Sequence, residues 1–318
     1  MQVSDFAGNP LFQLNDRIRL SQCLGESPRQ LRRLACSLNN YVNLERYTGH
    51  KLRPVEAPRT RISAVQSIIA DALRRVSWPD YLHSGRRGRS HVTNAAAHRG
   101  GASLCQVDLR SYYWQITTAR VQRFFMDDLQ CAPEEARLLT RLCTNDGRAP
   151  AGSRVSGPLA FHVTRPLFDE LQALSMAHRV VFTVFVDDLC FSGKEATRGF
   201  LWSVKKIIHR HAFSYHHATC SPSGRPRTVT GVLLIGDRMM VSPSETRRIT
   251  EELAVLKTAD TDDQRLRTLV GRLAAAASID RRYLGLLRPL QQRLRRMKSW
   301  SERGSRELPP RNPCSKTS

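Results

Sequence analysis

The sequence predicts an α/β protein in which short apolar strands are mixed with amphipathic helices. Two of the predicted strands carry carboxylates. Leu104 to Leu109 includes Asp108, and the apolar run Val181 to Gly193 is interrupted by Asp187 and Asp188. Runs rich in β-branched and aromatic residues are typical of buried strands, and the adjacent acids fall where a tight turn would join two of them. Helical segments between these strands supply the second layer of an α/β fold.

The N-terminal part of the chain is predicted to be helical before it becomes extended. Residues 1–48 form a helical lead-in, and residues 51–58 form a short extended piece that ends in proline. Apolar residues at helical spacing predict an amphipathic helix over 60–76. Residues 83–91 are rich in glycine and arginine, which favours a phosphate-contacting loop.

The rest of the chain alternates between helices and loops and ends in a basic helical region. Helices are predicted near 119–130, 133–143, 158–177 and 196–212, with a loop over 145–158. Residues 228–241 are predicted to form a β-hairpin that turns at Gly236-Asp237. Residues 244–298 are predicted to be helical, and the polar, proline-containing tail 299–318 to be disordered.

Charge indicates the kind of partner. The 318-residue chain has 50 Lys and Arg against 28 Asp and Glu, a net charge of +22. Such an excess favours a polyanionic partner, with nucleic acid first and an anionic membrane surface second. No apolar run approaches the roughly 20 residues that span a bilayer. No signal peptide is visible at the N-terminus, so the expected location is cytoplasmic.

Cysteine and histidine patterns argue against a zinc protein. The eight cysteines are scattered with no CxxC pair, so reduced and mostly buried thiols are expected. Four histidines cluster at His209, His211, His216 and His217. Their irregular spacing favours polar loop or RNA contacts over metal ligation.

The acidic pair suggests a metal site. Burying unpaired carboxylates costs several kcal/mol, so Asp187 and Asp188 need either a compensating cation or exposure at a hairpin tip. Mg²⁺ is the cation that carboxylates plus substrate phosphates usually hold. A solvated β-turn is the alternative. Asp108 lies 79 residues before Asp187, which leaves room for two helices between neighbouring strands.

Five motifs occur in an order that resembles reverse transcriptases, and among them the bacterial retron type. The motifs are Arg53 to Pro58, Asn94 to His98, Val107 to Tyr113, Phe185 to Asp188, and Val229 to Gly231. The second and fifth resemble signatures of retron enzymes in particular. The resemblance covers roughly residues 45–290.

The resemblance implies a right-hand polymerase fold, with fingers and palm over 49–243 and a helical thumb over 244–298. It implies two Mg²⁺ ions held by Asp108, the Leu109 carbonyl, Asp187 and Asp188, the three aspartates being catalytic. Residues implied in nucleotide binding are Lys51, Arg53, Arg110, Ser111, Tyr112, Tyr113, Ala151 and Gly152. Residues implied in binding RNA or primer are Asn94, His98, Val229, Thr230, Gly231, Arg293 and Arg296.

Two details of the implied site concern the sugar and the template. Tyr113 stands where related enzymes place an aromatic ring against the sugar, and Tyr112 is the buried alternative for that position. The small residues from Ala149 to Ser153 are expected beneath the templating pair, where they allow close backbone approach to nucleic acid.

The implied activity is that of an RNA-directed DNA polymerase. It would use deoxynucleoside triphosphates to copy a cognate structured non-coding RNA into branched, RNA-linked single-stranded DNA. A toxin or effector protein is a further implied partner, and antiphage defence the implied role. The chain departs from the family pattern at Phe185-Val186 and at Ala151, where tyrosine-alanine and glutamine are usual. Two alternatives remain open: another bacterial defence or diversity-generating reverse transcriptase, and a catalytically degenerate RNA-binding protein on a polymerase fold.

Overall fold

A computed structural model describes residues 6–48, 51–258 and 263–304 of the chain. For residues 46–48, 51–53, 257–258 and 297–304 it describes the backbone elements only. The helices are α1 (Arg17–Leu24), α2 (Pro28–Cys36), α3 (Thr60–Arg74), α4 (His91–Ala96), α5 (Tyr112–Gln115), α6 (Thr118–Arg123), α7 (Pro133–Cys143), α8 (Ser156–Ala177), α9 (Arg198–Arg210), α10 (Pro243–Thr258), α11 (Asp263–Ile279) and α12 (Leu284–Gly304). Among these described residues, no helix is both long and apolar enough to cross a membrane.

Nine strands form three separate antiparallel sheets in the described part of the chain. The strands are β1 (Tyr41–Thr48), β2 (Lys51–Pro58), β3 (Leu104–Leu109), β4 (Val181–Phe185), β5 (Asp188–Ser192), β6 (Tyr215–Ser221), β7 (Arg227–Val229), β8 (Val232–Ile235) and β9 (Arg238–Val241). β1 and β2 form a hairpin, and the central sheet has the order β4-β5-β3-β6. The predicted mixed class, α/β (α+β), is therefore confirmed, and the antiparallel pairing makes α+β the more specific description.

The central sheet and its helices belong to the first of two compact units, Met1–Arg225. Its core is built from apolar side chains of α1, α3, α6 to α9 and the central strands. Helix α3 shows how the pattern works: Ile62, Val65, Ile69 and Leu73 recur at helical spacing, and each is at most 1% exposed. α8 contacts β4, and α9 contacts β6.

Several predicted elements are confirmed and others differ. β3, the β4–β5 hairpin and α3 lie where the sequence predicts them. The helical lead-in over 1–48 is wrong for its last eight residues, because Tyr41–Thr48 pairs with β2 along its whole length. Strand β6 was not predicted. Its sequence YHHATCS is polar and partly exposed, so only its pairing with β3 identifies it as a strand.

The second unit, Pro226–Ser318, contains β7 to β9 and α10 to α12. The predicted hairpin over 228–241 is a three-stranded sheet with two turns, one of them at the predicted Gly236-Asp237. Helix α12 continues to Gly304, past the predicted start of the tail at 299, since no proline follows Pro289 until Pro309. Tail residues 305–318 lie outside the described part of the chain.

Candidate active site

The two adjacent aspartates lie at the tip of the β4–β5 hairpin, in a tight turn held from both sides. Phe185 pairs with Asp188, so Val186 and Asp187 form a two-residue turn. The Val186 N–H donates to the Ser84 hydroxyl at 3.0 Å, and the Leu109 N–H donates to the Asp187 carbonyl at 3.0 Å. Val186 has φ of 62°, a conformation that costs energy for a β-branched residue. The two hydrogen bonds offset that strain and fix the turn against β3.

Strand register brings the distant Asp108 to this turn. Asp108 on β3 is the direct cross-strand partner of Asp188 on β5. Direct partners project from the same face of a sheet, and successive residues alternate between faces. Val107 and Leu109 are therefore on the opposite face, where both are 1% exposed in the core. The pKa of Asp188 is raised to about 6 by burial and then by the negative charges of Asp187 and Asp108.

Three carboxylates thus accumulate negative charge at one end of the central sheet. Within the described ranges, no group of three or more His, Cys, Asp or Glu side chains is arranged to hold a metal ion. Mg²⁺ commonly uses only one or two carboxylates and takes further ligands from substrate phosphates and water. The all-oxygen donor set and the like-charge crowding at Asp188 fit such an ion chemically.

A cavity of about 300 Å³ opens beside the turn. Val186 and Tyr113 line it together with Ser84, Trp78 and Phe161. Tyr113 is partly exposed there, and its pKa is raised by burial and by the charge of Asp187.

The neighbouring Tyr112 also reaches the cavity but is only 4% exposed. Its hydroxyl lies 3.2 Å from the Thr164 hydroxyl and donates to it. Tyr112 was also predicted to bind nucleotide, but it is buried, and Tyr113 is the more exposed of the two tyrosines that line the cavity.

The glycine- and arginine-rich loop supports the turn. The Val184 N–H donates to the Tyr81 carbonyl at 2.8 Å, and the His83 N–H donates to the Val184 carbonyl at 2.9 Å, so this segment runs beside β4. Arg86 donates to the Pro79 carbonyl at 3.0 Å. These contacts within the protein give the loop a structural role that its composition did not indicate.

Asn94 and His98 were predicted to contact RNA, and the structure contradicts this. Both are buried, at 0% and 1% exposure. His98 bridges the hydroxyls of Ser192 and Thr183, each at 2.7 Å, and Asn94 hydrogen-bonds the Cys190 thiol. Their four-residue spacing therefore serves to dock α4 on the central sheet, because buried polar groups must find partners.

Ala151 and Gly152 pack against the protein's own hairpin. The Glu56 N–H donates to the Ala151 carbonyl at 2.7 Å, and a Glu56 carboxylate oxygen accepts from the Ala151 N–H at 3.2 Å. Gly152 has φ of 125°, and a Cβ there would lie 2.5 Å from Cγ1 of Val55. The small residues were expected to make room for nucleic acid, but the close approach at Gly152 is to β2.

Arg148 completes this junction. Its guanidinium lies 3.5 Å from Glu56 and 3.7 Å from the ring centroid of Trp114. Glu56 also accepts from Asn145 at 2.9 Å. One mostly buried carboxylate therefore fixes the loop to β2.

The other predicted nucleotide-binding residues are spread over the first unit. Arg110 and Ser111 follow β3 and are exposed, and Ser111 has φ of 44°. Lys51 and Arg53 have their backbone in β2, and their side chains lie outside the described part of the chain.

The remaining predicted RNA and primer contacts lie in the second unit. Thr230 and Gly231 form the two-residue turn between β7 and β8, with φ of 44° and 84°, and Val229 is fully buried. Arg293 and Arg296 are exposed on α12. Leu286 of the same helix is 44% exposed.

Several known proteins are similar to this chain in sequence. No protein-family model matches the chain. The retron Se72 reverse transcriptase of Salmonella heidelberg (strain 579083-10) is 24% identical over 218 residues, covering 66% of this chain and 56% of the relative. The retron Mx162 reverse transcriptase of Myxococcus xanthus is 24% identical over 265 residues, covering 71% and 54%. The retron Ec86 reverse transcriptase of Escherichia coli is 21% identical over 212 residues, covering 63% of each.

These similarities confirm the resemblance that the motifs predicted. The chain is similar to retron reverse transcriptases over about two thirds of its length, and it spans little more than half the length of the first two relatives. Among solved structures, a foamy viral protease-reverse transcriptase bound to double-stranded DNA has a TM-score of 0.47 at 13% identity, with 80% of this chain and 38% of that chain covered. A structure described as an RdRp complex has a TM-score of 0.46 at 13% identity, with 85% and 29% covered.

Proposed function

We propose that the protein is an RNA-directed DNA polymerase of retron type. The observation that carries this proposal is the register that sets Asp108 beside Asp188, with Asp187 in the turn. Similarity to three retron reverse transcriptases supports the choice of reaction. In the predicted division of the chain, residues 49–243 form fingers and palm and residues 244–298 form the thumb.

The carboxylates and one carbonyl are the groups that would hold the catalytic metal. Asp108 and Asp187 are the proposed direct ligands of two Mg²⁺ ions, with Asp188 and the Leu109 carbonyl in support. When bound, the ions supply stabilisation of charge at the attacking 3′-hydroxyl and at the leaving pyrophosphate. The protein's own part is to fix the carboxylates before substrate arrives, and the two hydrogen bonds of the Val186-Asp187 turn do this.

Nucleotide choice is assigned to the cavity beside the turn. Tyr113 borders open space there, within the electrostatic reach of Asp187. A ring at this position excludes a 2′-hydroxyl by its volume and so favours deoxynucleotides. Arg110 is the exposed cation nearest in sequence to Asp108, and with Lys51 and Arg53 it is proposed to contact the triphosphate.

Template and partners follow from charge and family. A chain of net charge +22 is suited to a structured RNA and its complementary DNA. We assign the Thr230-Gly231 turn, which follows the buried Val229, and the exposed Arg293 and Arg296 to RNA and primer backbone contacts. Branched, RNA-linked DNA as product, a toxin or effector protein as partner and a role in antiphage defence complete the proposal.

Primer extension on an RNA template tests the proposal. Purified protein with Mg²⁺ and deoxynucleotides is expected to extend a primer, and Asp187→Asn or Asp108→Asn is expected to abolish extension while RNA binding is retained. Glu195→Gln is the matched control, since it also converts a carboxylate to an amide but at an exposed position outside the site. Full extension by either aspartate variant would contradict the assigned site. RNA binding without any extension by the unmodified protein would favour the degenerate, non-catalytic alternative.

A further inference from the structure

An exposed surface that combines lysines with aromatic rings lies away from the carboxylates. From Ala196 to Gly236 the sequence contains six Lys and Arg and no Asp or Glu. Helix α9 and strand β6 fall within this run, and together they form what we call the α9–β6 surface, whose members are Trp202, Lys205, Lys206, His209 and Tyr215.

Side-chain contacts on this surface pair each lysine with a ring. Trp202 is 59% exposed, and the Lys206 ammonium lies 3.2 Å from its ring centroid. The Lys205 ammonium lies 5.5 Å from the ring of Tyr215, which also contacts His209 at 5.5 Å between centroids. An exposed tryptophan normally costs solvation free energy, and the cation–π contact on one face holds the ring in place while the residue stays 59% exposed.

Neighbouring acids do not neutralise this surface. Glu170 of α8 is the acid that reaches α9, and it pairs with Arg210 and His211 at the end of the helix. No salt bridge in the described structure involves Lys205 or Lys206. The positive charge beside Trp202 therefore remains available to a ligand.

The α9–β6 surface faces away from the candidate active site. Residues of β3 alternate between the two faces of the central sheet, and Asp108 is on one of them. Cys105, on the other face, donates from its thiol to the Ala196 carbonyl at 3.3 Å, just before α9. Tyr215 pairs with Leu109, which also points away from Asp108. A ligand on this surface would not compete with a duplex at the carboxylates.

We propose that the α9–β6 surface binds single-stranded RNA by stacking a base on Trp202 and pairing its phosphates with Lys205 and Lys206. Exposed aromatic rings flanked by cations are how proteins bind single strands without reading their sequence. The inference rests on the proposed function only for the choice of RNA. The surface would hold a single-stranded part of the template outside the cleft while another part is copied.

Binding of a short fluorescein-labelled oligouridine tests this, measured by anisotropy on full-length protein already saturated with a primer–template duplex. Trp202→Ala is expected to weaken oligouridine binding by about fivefold to a hundredfold, the range for loss of one base stack. Trp202→Phe is expected to retain most of the affinity. Lys205→Ala with Lys206→Ala is expected to reduce the slope of log affinity against log salt by about 1.4, at about 0.7 for each phosphate contact.

Two control variants remove comparable groups elsewhere on the first unit. Met176→Ala removes an apolar side chain that is 68% exposed on α8, and Arg137→Ala removes an exposed cation on α7. Both are expected to bind oligouridine as the unmodified protein does. If these controls lose as much oligouridine affinity as the Trp202 and lysine variants, the inference would be overturned. Binding would then depend on the overall charge or the exposed apolar area of the protein.

Other outcomes are also decisive. Unchanged oligouridine binding in Trp202→Ala and in the double lysine variant would overturn the inference. If these variants lose binding to phosphatidylserine vesicles but keep their RNA binding, the inference would be overturned in favour of a membrane-binding surface. Primer extension on the saturating duplex tests the proposed function separately. If the unmodified protein extends the primer and the Trp202 and lysine variants bind oligouridine normally, only the α9–β6 assignment is refuted.

Discussion

Replacing Asp188 by asparagine is expected to stabilise the metal-free protein. The folded-state pKa of Asp188 is about 6, against an ordinary value of 3.8, because burial and the charges of Asp187 and Asp108 disfavour its ionised form. Since the pKa is raised on folding, the free energy of unfolding falls as pH rises from about 4 to about 6 and stays low above that range. An asparagine side chain cannot ionise, so this loss disappears in the Asp188→Asn variant.

The size of the effect follows from the shift. The difference between 3.8 and about 6 corresponds to about 3 kcal/mol at neutral pH, as an upper limit. The asparagine amide still has to be desolvated, which reduces the gain to about 2 kcal/mol. For a unit of this size, about 2 kcal/mol corresponds to a rise in Tm of about 4 to 8 °C.

Differential scanning fluorimetry with EDTA at pH 7.5 and pH 4 measures this change. Asp188→Asn is expected to raise Tm at pH 7.5 and to have little effect at pH 4, where the native carboxyl is already protonated. Glu195→Gln, an exposed carboxylate, is expected to change Tm little at either pH. A lower Tm for Asp188→Asn at pH 7.5, or an equal rise at both pH values, would show that like-charge crowding does not govern this site.

Three further outcomes are expected. Tyr113→Ala is expected to raise the ratio of the specificity constants for ribonucleotide and deoxynucleotide incorporation, because loss of the ring opens space for a 2′-hydroxyl. Single-turnover kinetics measures this ratio. An unchanged ratio with lower activity would show that the ring is a packing group. Gly152→Ala is expected to lower the free energy of unfolding by about 1 to 3 kcal/mol in urea titrations, since its Cβ would meet Val55 at 2.5 Å. Gly199→Ala, whose Cβ meets nothing closer than 3.7 Å, is its control, and similar values for both would contradict the packing argument. His98→Ala is expected to lower Tm by several degrees and to leave the RNA affinity of the folded protein unchanged, because His98 is buried. Loss of RNA affinity at an unchanged Tm would instead support the prediction that His98 contacts RNA.

Local patterns in the sequence were sufficient to predict a strand or helix where its apolar residues recur at regular spacing. Leu104 to Leu109 and the two strands around Asp187 and Asp188 were predicted correctly because their side chains are buried and apolar. The polar strand Tyr215–Ser221 and the strand Tyr41–Thr48 lack such a period, and pairing partners identify them. Predictions of what a residue does were wrong more often than predictions of helices and strands. Asn94 and His98 matched a motif, but their residue types do not indicate whether the side chains face RNA or a sheet.

The sequence by itself determined the α/β class, the basic character of the chain, the motif order and the three aspartates that define the candidate site. Only the tertiary structure decided that Asp108 stands opposite Asp188, that Ser84 holds the strained turn, and that Gly152 is small because Val55 lies against it. The physical reason is that periodicity and charge are local properties of the chain. Register, close approach and the shared negative charge at Asp188 depend on residues more than 70 positions apart, which come together only when the strands pair.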